Sequence, residues 1–139
     1  MKIVVNRCYG GFGLSHEACL HYAKLAGFKL YPFIESWDTK GHLIPHTFVP
    51  YTGKEKTRFG IIHYSKKPLI KGECDEKAVW YEGHLKRDDP ILVRVVKELK
   101  KKACGLYSEL EVVEIPDGVK WEISEYDGME SVDEVHRSW

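Results

Sequence analysis

"RDDPILVRVVKELKKKACG", residues 87–105, is the stretch on which the reading of this chain turns. Asp89 stands where an N-cap carboxylate accepts a free amide, Pro90 suits the first helical position, and Gly105 is placed to close the helix. Ile91, Val95, Leu99 and Ala103 recur on one face, with Leu92 and Val96 beside them, so that stripe is expected to lie against a core. Lys100, Lys101 and Lys102 fall in the last turn, where cations suit the negative end of the dipole; they read as a solvated helix end.

On either side the periodicity changes. "LEVVEIPDGVKWEISEYDG", residues 110–128, reads as two strands around a Pro-Asp-Gly turn, a hairpin signal. Val119, Trp121 and Ile123 alternate with Lys120, Glu122 and Ser124, one face buried and one solvated. A short final helix is expected from Ser131 to about Arg137. At the other end Ile3-Val4-Val5 reads as a buried strand, followed by a helix capped by Ser15 and closed by Gly27. "FKLYPFIE", residues 28–35, is a second strand, which Pro32 pushes towards an edge or a bulge. Residues 36–57 read as loop with brief strands at most, and "GIIHYS" and "KAVWYEGH" as strands about a turn at residues 66–76. The whole is expected to be α+β: a single compact domain over residues 1–139, with a mixed or antiparallel sheet, two main helices and the short C-terminal helix.

Composition narrows the function classes. At 139 residues, with 43% apolar and 30% charged residues, the chain is the size of one ordinary domain. Lys plus Arg equals Asp plus Glu at 21 each, without the basic excess expected of a protein that rides on polymeric nucleic acid. No segment approaches the roughly 20 apolar residues of a membrane span, and the N-terminus does not read as a signal peptide, so a cytoplasmic, membrane-free protein is expected. Cys8, Cys19, Cys74 and Cys104 are scattered without a CxxC pair and read as buried thiols. The histidines lack metal-ligand spacing, so neither a metal nor a cofactor is expected.

Four segments carry a resemblance: "NRCYGGFGLS" (6–15), "RDDPILVRVVKEL" (87–99), "VVEIPDGVKWEISEYDG" (112–128) and "HRSW" (136–139). Together they resemble a family of small, mostly uncharacterised proteins encoded in phage and prophage genomes. The resemblance covers about half the chain and brings no catalytic residues. What it implies is a setting in which such proteins act as counter-defence factors.

The candidate site lies in the first of these segments. A strand, a glycine-rich turn and a helix start offer free amides and a positive dipole end to an anion. Asn6, Arg7, Gly10, Gly11, Gly13 and Ser15 are the expected phosphate contacts. Tyr9 and Phe12 are the expected stacking rings for a base or ribose. The spacing is neither that of a P-loop nor that of a dinucleotide fingerprint. His136 and Arg137 are expected to complete the site across the interface of a homo-oligomer. On this reading the protein binds and sequesters a small nucleotide-derived immune signal, of cyclic nucleotide or cyclic ADP-ribose type, without catalysis. Two alternatives stand beside it. One is an enzyme cleaving such a messenger with Glu130, Glu134, His136 and Arg137, the carboxylates one helical turn apart. The other is an inhibitor that binds a host defence protein through its surface. Lys54, Lys56 and Arg58 read as a charged strand edge, Trp121 as core, and Trp37 as a ring open to a ligand.

Overall fold

The computed structural model describes residues 1–135. In chain order they form β1 (Lys2–Asn6), α1 (His16–Ala26), β2 (Tyr31–Trp37), β3 (Leu43–Pro50), β4 (His63–Ser65), β5 (Val79–Trp80), α2 (Pro90–Leu99), β6 (Leu110–Glu114), β7 (Trp121–Tyr126) and β8 (Met129–Glu134). Every strand pair is antiparallel and the class is α+β. Two compact units arise: residues 1–26 with the chain from 82 onward, and residues 27–81.

In the first unit the apolar triplet Ile3, Val4 and Val5 is fully buried. Its strand β1 pairs with β6, Lys2 opposite Glu114 and Asn6 opposite Leu110. On its other side the Val4 amide donates to the Arg87 carbonyl at 2.8 Å, so the segment entering α2 is stitched to the strand. Asp89 accepts the Ile91 amide at 2.8 Å and Pro90 opens α2, as the sequence indicates. Leu92, Val93, Val95 and Val96 are its buried residues. Removing each such side chain from water contributes about 1.5–3 kcal/mol. The far end differs from the expected glycine stop. The α-helix ends at Leu99, Lys100 takes a positive φ of 54°, and a 3-10 turn carries the chain to Ala103. Gly105 instead lies against Gly13, its amide donating to the Gly13 carbonyl at 3.1 Å. In α1, Ser15 Oγ accepts the Ala18 amide at 3.1 Å, and Gly27 ends the helix with φ 86°.

Two expectations at the C-terminal end are corrected. The strands flanking Pro116-Asp117-Gly118 do not pair with each other: β6 belongs with β1, and β7 pairs with β8. The hairpin turn is Asp127-Gly128, with φ 49° and 89° and Tyr126 opposite Met129. Two successive positive φ values match the right-handed twist of a hairpin, and Asp-Gly tolerates them. Residues 131–134 are therefore strand, not helix. In an extended chain Glu130 and Glu134 stand roughly 13 Å apart, not one helical turn. The rest of the expected helix, with His136 and Arg137, lies outside the described residues.

The second unit is a four-stranded sheet of order β3-β2-β4-β5. Pro32 sits inside the sheet but near the start of β2, where it faces only β4, and the register shifts between Glu35 and Ser36. Eight of the 22 residues read as loop thus form the strand β3. Leu30, Phe33, Ile34, Tyr64 and Ala78 form the buried apolar set of this unit, with Phe48 edge-on to Phe33 at 5.1 Å.

Candidate functional site

The glycine turn is built as a hub of internal hydrogen bonds. Asn6 is fully buried. Its Nδ2 donates to the carbonyls of Cys8 at 2.6 Å and Gly128 at 2.7 Å, and its Oδ1 accepts the amides of Cys8 at 3.2 Å and Glu109 at 2.9 Å. Three of the amides expected to face an anion are engaged in the same way. Asn6 N donates to Glu130 Oε1 at 2.8 Å, Arg7 N to the Glu109 carbonyl at 2.7 Å, and Ser15 N to the Ala103 carbonyl at 2.9 Å. The Gly13 carbonyl accepts from Ser108 Oγ at 2.7 Å, and Ser15 Oγ donates to the Lys102 carbonyl at 2.5 Å. Arg7 is balanced by Glu111, Nε to Oε2 at 2.9 Å, and reaches the Glu130 carbonyl with Nη1. Phe12 lies under the Arg87 guanidinium, 3.7 Å from ring centroid to Cζ.

Arg87 and Glu130 form the ion pair beneath this turn. Two parallel contacts of 2.5 and 2.9 Å join them, and the side chains are 19% and 7% exposed. Asp88 is the adjacent carboxylate in the sequence. The structure gives Arg87 a partner 43 residues away. Glu130 is therefore a scaffold carboxylate with both oxygens engaged. Asp133 accepts from Ser124 Oγ. Among the described residues no three His, Cys, Asp or Glu side chains gather as metal ligands do. Only Cys19 of the four thiols is fully buried, and burial beside Glu76 and Asp75 pushes the Cys74 thiol above its ordinary pKa.

Of the sequence-derived residues, Tyr9, Gly10 and Gly11 remain towards the surface, held by close backbone approach. A Cβ on Gly10 would lie 2.0 Å from the Tyr107 carbonyl oxygen, and one on Gly128 would lie 2.2 Å from that of Tyr9. Three loops thus interlock through two glycines. Trp37, read as open to a ligand, donates Nε1 to the Lys56 carbonyl at 3.1 Å, and Lys56 Nζ stands 4.7 Å over its ring. Arg58 contacts Glu35 at 3.5 Å. Trp121 is half-buried on the inner face of β7.

The sequence reading missed a cleft of about 700 Å³ in the first unit, between the outer face of α2 and the Met1 end of β1. Met1, Pro90 and Val93 give it apolar wall, Lys2, Arg94 and Lys97 bring cations to it, and Asp88, Glu98 and Glu114 bring carboxylates. Arg94 and Lys97 are one turn apart on α2, while Lys2 enters from β1 opposite Glu114. The neighbouring Lys2 ammonium holds the Lys97 pKa below its ordinary value, against a smaller opposing effect of Glu114. Arg94 Nε bonds Glu98 at 2.7 Å, and His21 Nε2 meets the other Glu98 oxygen at 2.5 Å. These two contacts, Arg94 first, hold the Glu98 carboxyl below the usual range. The spacing of Arg94 and Lys97 was visible on the α2 wheel; the approach of Lys2 was not.

No protein-family model matches the chain, and no curated protein or solved structure shows significant similarity to it. Among the described residues no helix is long and apolar enough to cross a membrane.

Proposed function

We propose that the protein binds a small nucleotide-derived anion in the α2 cleft and retains it unchanged. On this reading it is a sequestering protein of the phage counter-defence kind acting in the host cytosol, with a cyclic nucleotide or cyclic ADP-ribose type of immune messenger as its ligand. The observation that carries the reading is the convergence of Lys2, Arg94 and Lys97 on the apolar wall of Met1, Pro90 and Val93, in a cleft that Asp88, Glu98 and Glu114 also line. Two neighbouring ammonium groups repel each other, and a phosphate placed between them converts that repulsion into two charge-assisted hydrogen bonds. Arg94 still has guanidinium nitrogens beyond the Nε used by Glu98, suited to forked contact with a phosphate. The apolar wall suits the face of a base, and a volume near 700 Å³ lies within the usual range for small-molecule sites. On this reading the anion contacts lie in the cleft, since the Asn6, Arg7 and Ser15 amides of the glycine turn donate to internal acceptors. Engagement of both Glu130 oxygens weighs against the cleavage alternative.

The test is incubation of the full chain with cyclic nucleotides and cyclic ADP-ribose isomers, followed by denaturation and analysis of the released small molecule. Unchanged ligand, with retention reduced at least tenfold by Lys97→Ala or Arg94→Ala, supports sequestration. New products would establish an enzyme instead, and retention indifferent to both substitutions would remove the cleft from consideration.

A further inference from the structure

The three interlocked loops of the first unit present a surface that the small-ligand reading leaves unused. Tyr9 is 60% exposed, Leu106 75%, Tyr107 72% and Tyr126 80%. They belong to one neighbourhood, because the Gly10 backbone touches Tyr107 and the Gly128 backbone touches Tyr9 and Gly11. Asn6 fastens the base of the same loops through its bonds to Cys8, Gly128 and Glu109. Tyrosine rings on rigid, glycine-supported loops are the composition of protein-binding surfaces, since they supply large contact area with little side-chain entropy to lose. At roughly 150–250 Å² per ring, the four exposed side chains offer on the order of 500 Å², against the ~800 Å² per partner of a standard interface.

Charge decides the kind of occupant. Glu109 and Asp127 are exposed in these loops and join no ion pair among the described residues. The surface is thus aromatic and acidic together. One layer beneath, the fold shows what that combination holds: Arg87 stacks on Phe12 and forks onto Glu130. A guanidinium can use an aromatic face and a carboxylate at once, whereas an ammonium cannot make the planar stack.

We propose that the Tyr9–Tyr107–Tyr126 surface docks an arginine-bearing segment of a protein partner, its guanidinium groups stacking on the tyrosines and pairing with Glu109 and Asp127. The proposal stands apart from the cleft, so the two fail separately.

The test uses the full chain, isotopically labelled, titrated with a soluble Arg-Gly-Ser repeat peptide and with versions in which lysine or glutamate replaces every arginine. Expected are amide shifts confined to residues 9–11, 106–109 and 125–128, about fivefold weaker binding of the lysine peptide and none of the glutamate peptide. Tyr107→Ser with Tyr126→Ser should weaken the arginine peptide at least tenfold. Asp127→Asn, which keeps the positive φ accessible, should weaken it a few-fold without touching the rings. Lys97→Ala should leave it unchanged. Equal binding of the arginine and lysine peptides, shifts centred elsewhere, or no binding would overturn the proposal. So would self-association of the chain that the tyrosine substitutions abolish, which would make a second copy the occupant.

Discussion

Replacing Glu130 by alanine removes three contacts at once: two to Arg87, at 2.5 and 2.9 Å, and one from the Asn6 amide at 2.8 Å. The orphaned amide of a fully buried residue costs about 1–3 kcal/mol. The guanidinium left without its carboxylate adds to this, since breaking a buried pair from one side typically costs about 3–5 kcal/mol in all. Arg87 keeps 19% exposure and its stack on Phe12, so water and the ring offset part of the loss. The expected destabilisation is therefore about 3 kcal/mol, near the lower end of that range. It should be read by urea denaturation followed by tryptophan fluorescence. Arg87→Ala alone should cost a similar amount, and the double variant clearly less than the two added, with a coupling of about 1–3 kcal/mol. A Glu130→Ala loss below about 1 kcal/mol, or strict additivity in the double variant, would refute the claim that this pair anchors the first unit.

Gly128→Ala should destabilise by at least twice as much as Gly118→Ala in the same denaturation experiment. Both have positive φ and incur about 1–2 kcal/mol for an L side chain there, but only the Gly128 Cβ would collide with backbone, at 2.2 Å from the Tyr9 oxygen. Asp89→Ala should cost about 1–2 kcal/mol in thermal unfolding, because one carboxylate caps α2 and accepts the Tyr22 hydroxyl at 2.5 Å. Burial, reinforced by Asp89, raises the Tyr22 pKa above its ordinary value of 10.0. The neutral phenol thus contributes stability that is complete below pH 10 and lost as pH rises towards the folded pKa, so Tyr22→Phe should flatten the alkaline limb of a stability–pH curve. Glu98 titrates with the opposite sign. Its depressed pKa contributes stability above the ordinary 4.5, lost as pH falls through the folded value, and Glu98→Gln should remove that acid-side slope.

Local chemistry was legible wherever a residue acts on its own neighbours. Asp89, Pro90, Ser15 and Gly27 announce their helix ends because caps work within three or four residues. The alternation from Val119 to Ser124 likewise survives as one half-buried and one exposed face. What failed was the choice between local punctuation marks. Pro116-Asp117-Gly118 and Asp127-Gly128 both read as turns, and nothing local says that only the second joins paired strands. The partner of β6 is β1, more than 100 residues away, and residue patterns carry no register across such a distance. Ser131 to Glu134 looked helical because Ser, Asp and Glu suit a helix start; pairing with β7 overrode that propensity. The glycine turn shows the same limit of local reading: the acceptors of its Asn6, Arg7 and Ser15 amides are Glu130, Glu109 and Ala103, far along the chain.

That dependence on distant sequence imposes an order on synthesis. As the chain emerges, β1 and the Asn6 turn come first, yet their partners are residues 103–130. Residues 27–81 form a contiguous unit whose four strands pair with one another, so those strand partners have all emerged while Ile3, Val4 and Val5 still wait for β6. The first unit then closes late and cooperatively, at the slow pace that high contact order dictates, and its greatest exposure to aggregation falls in that interval.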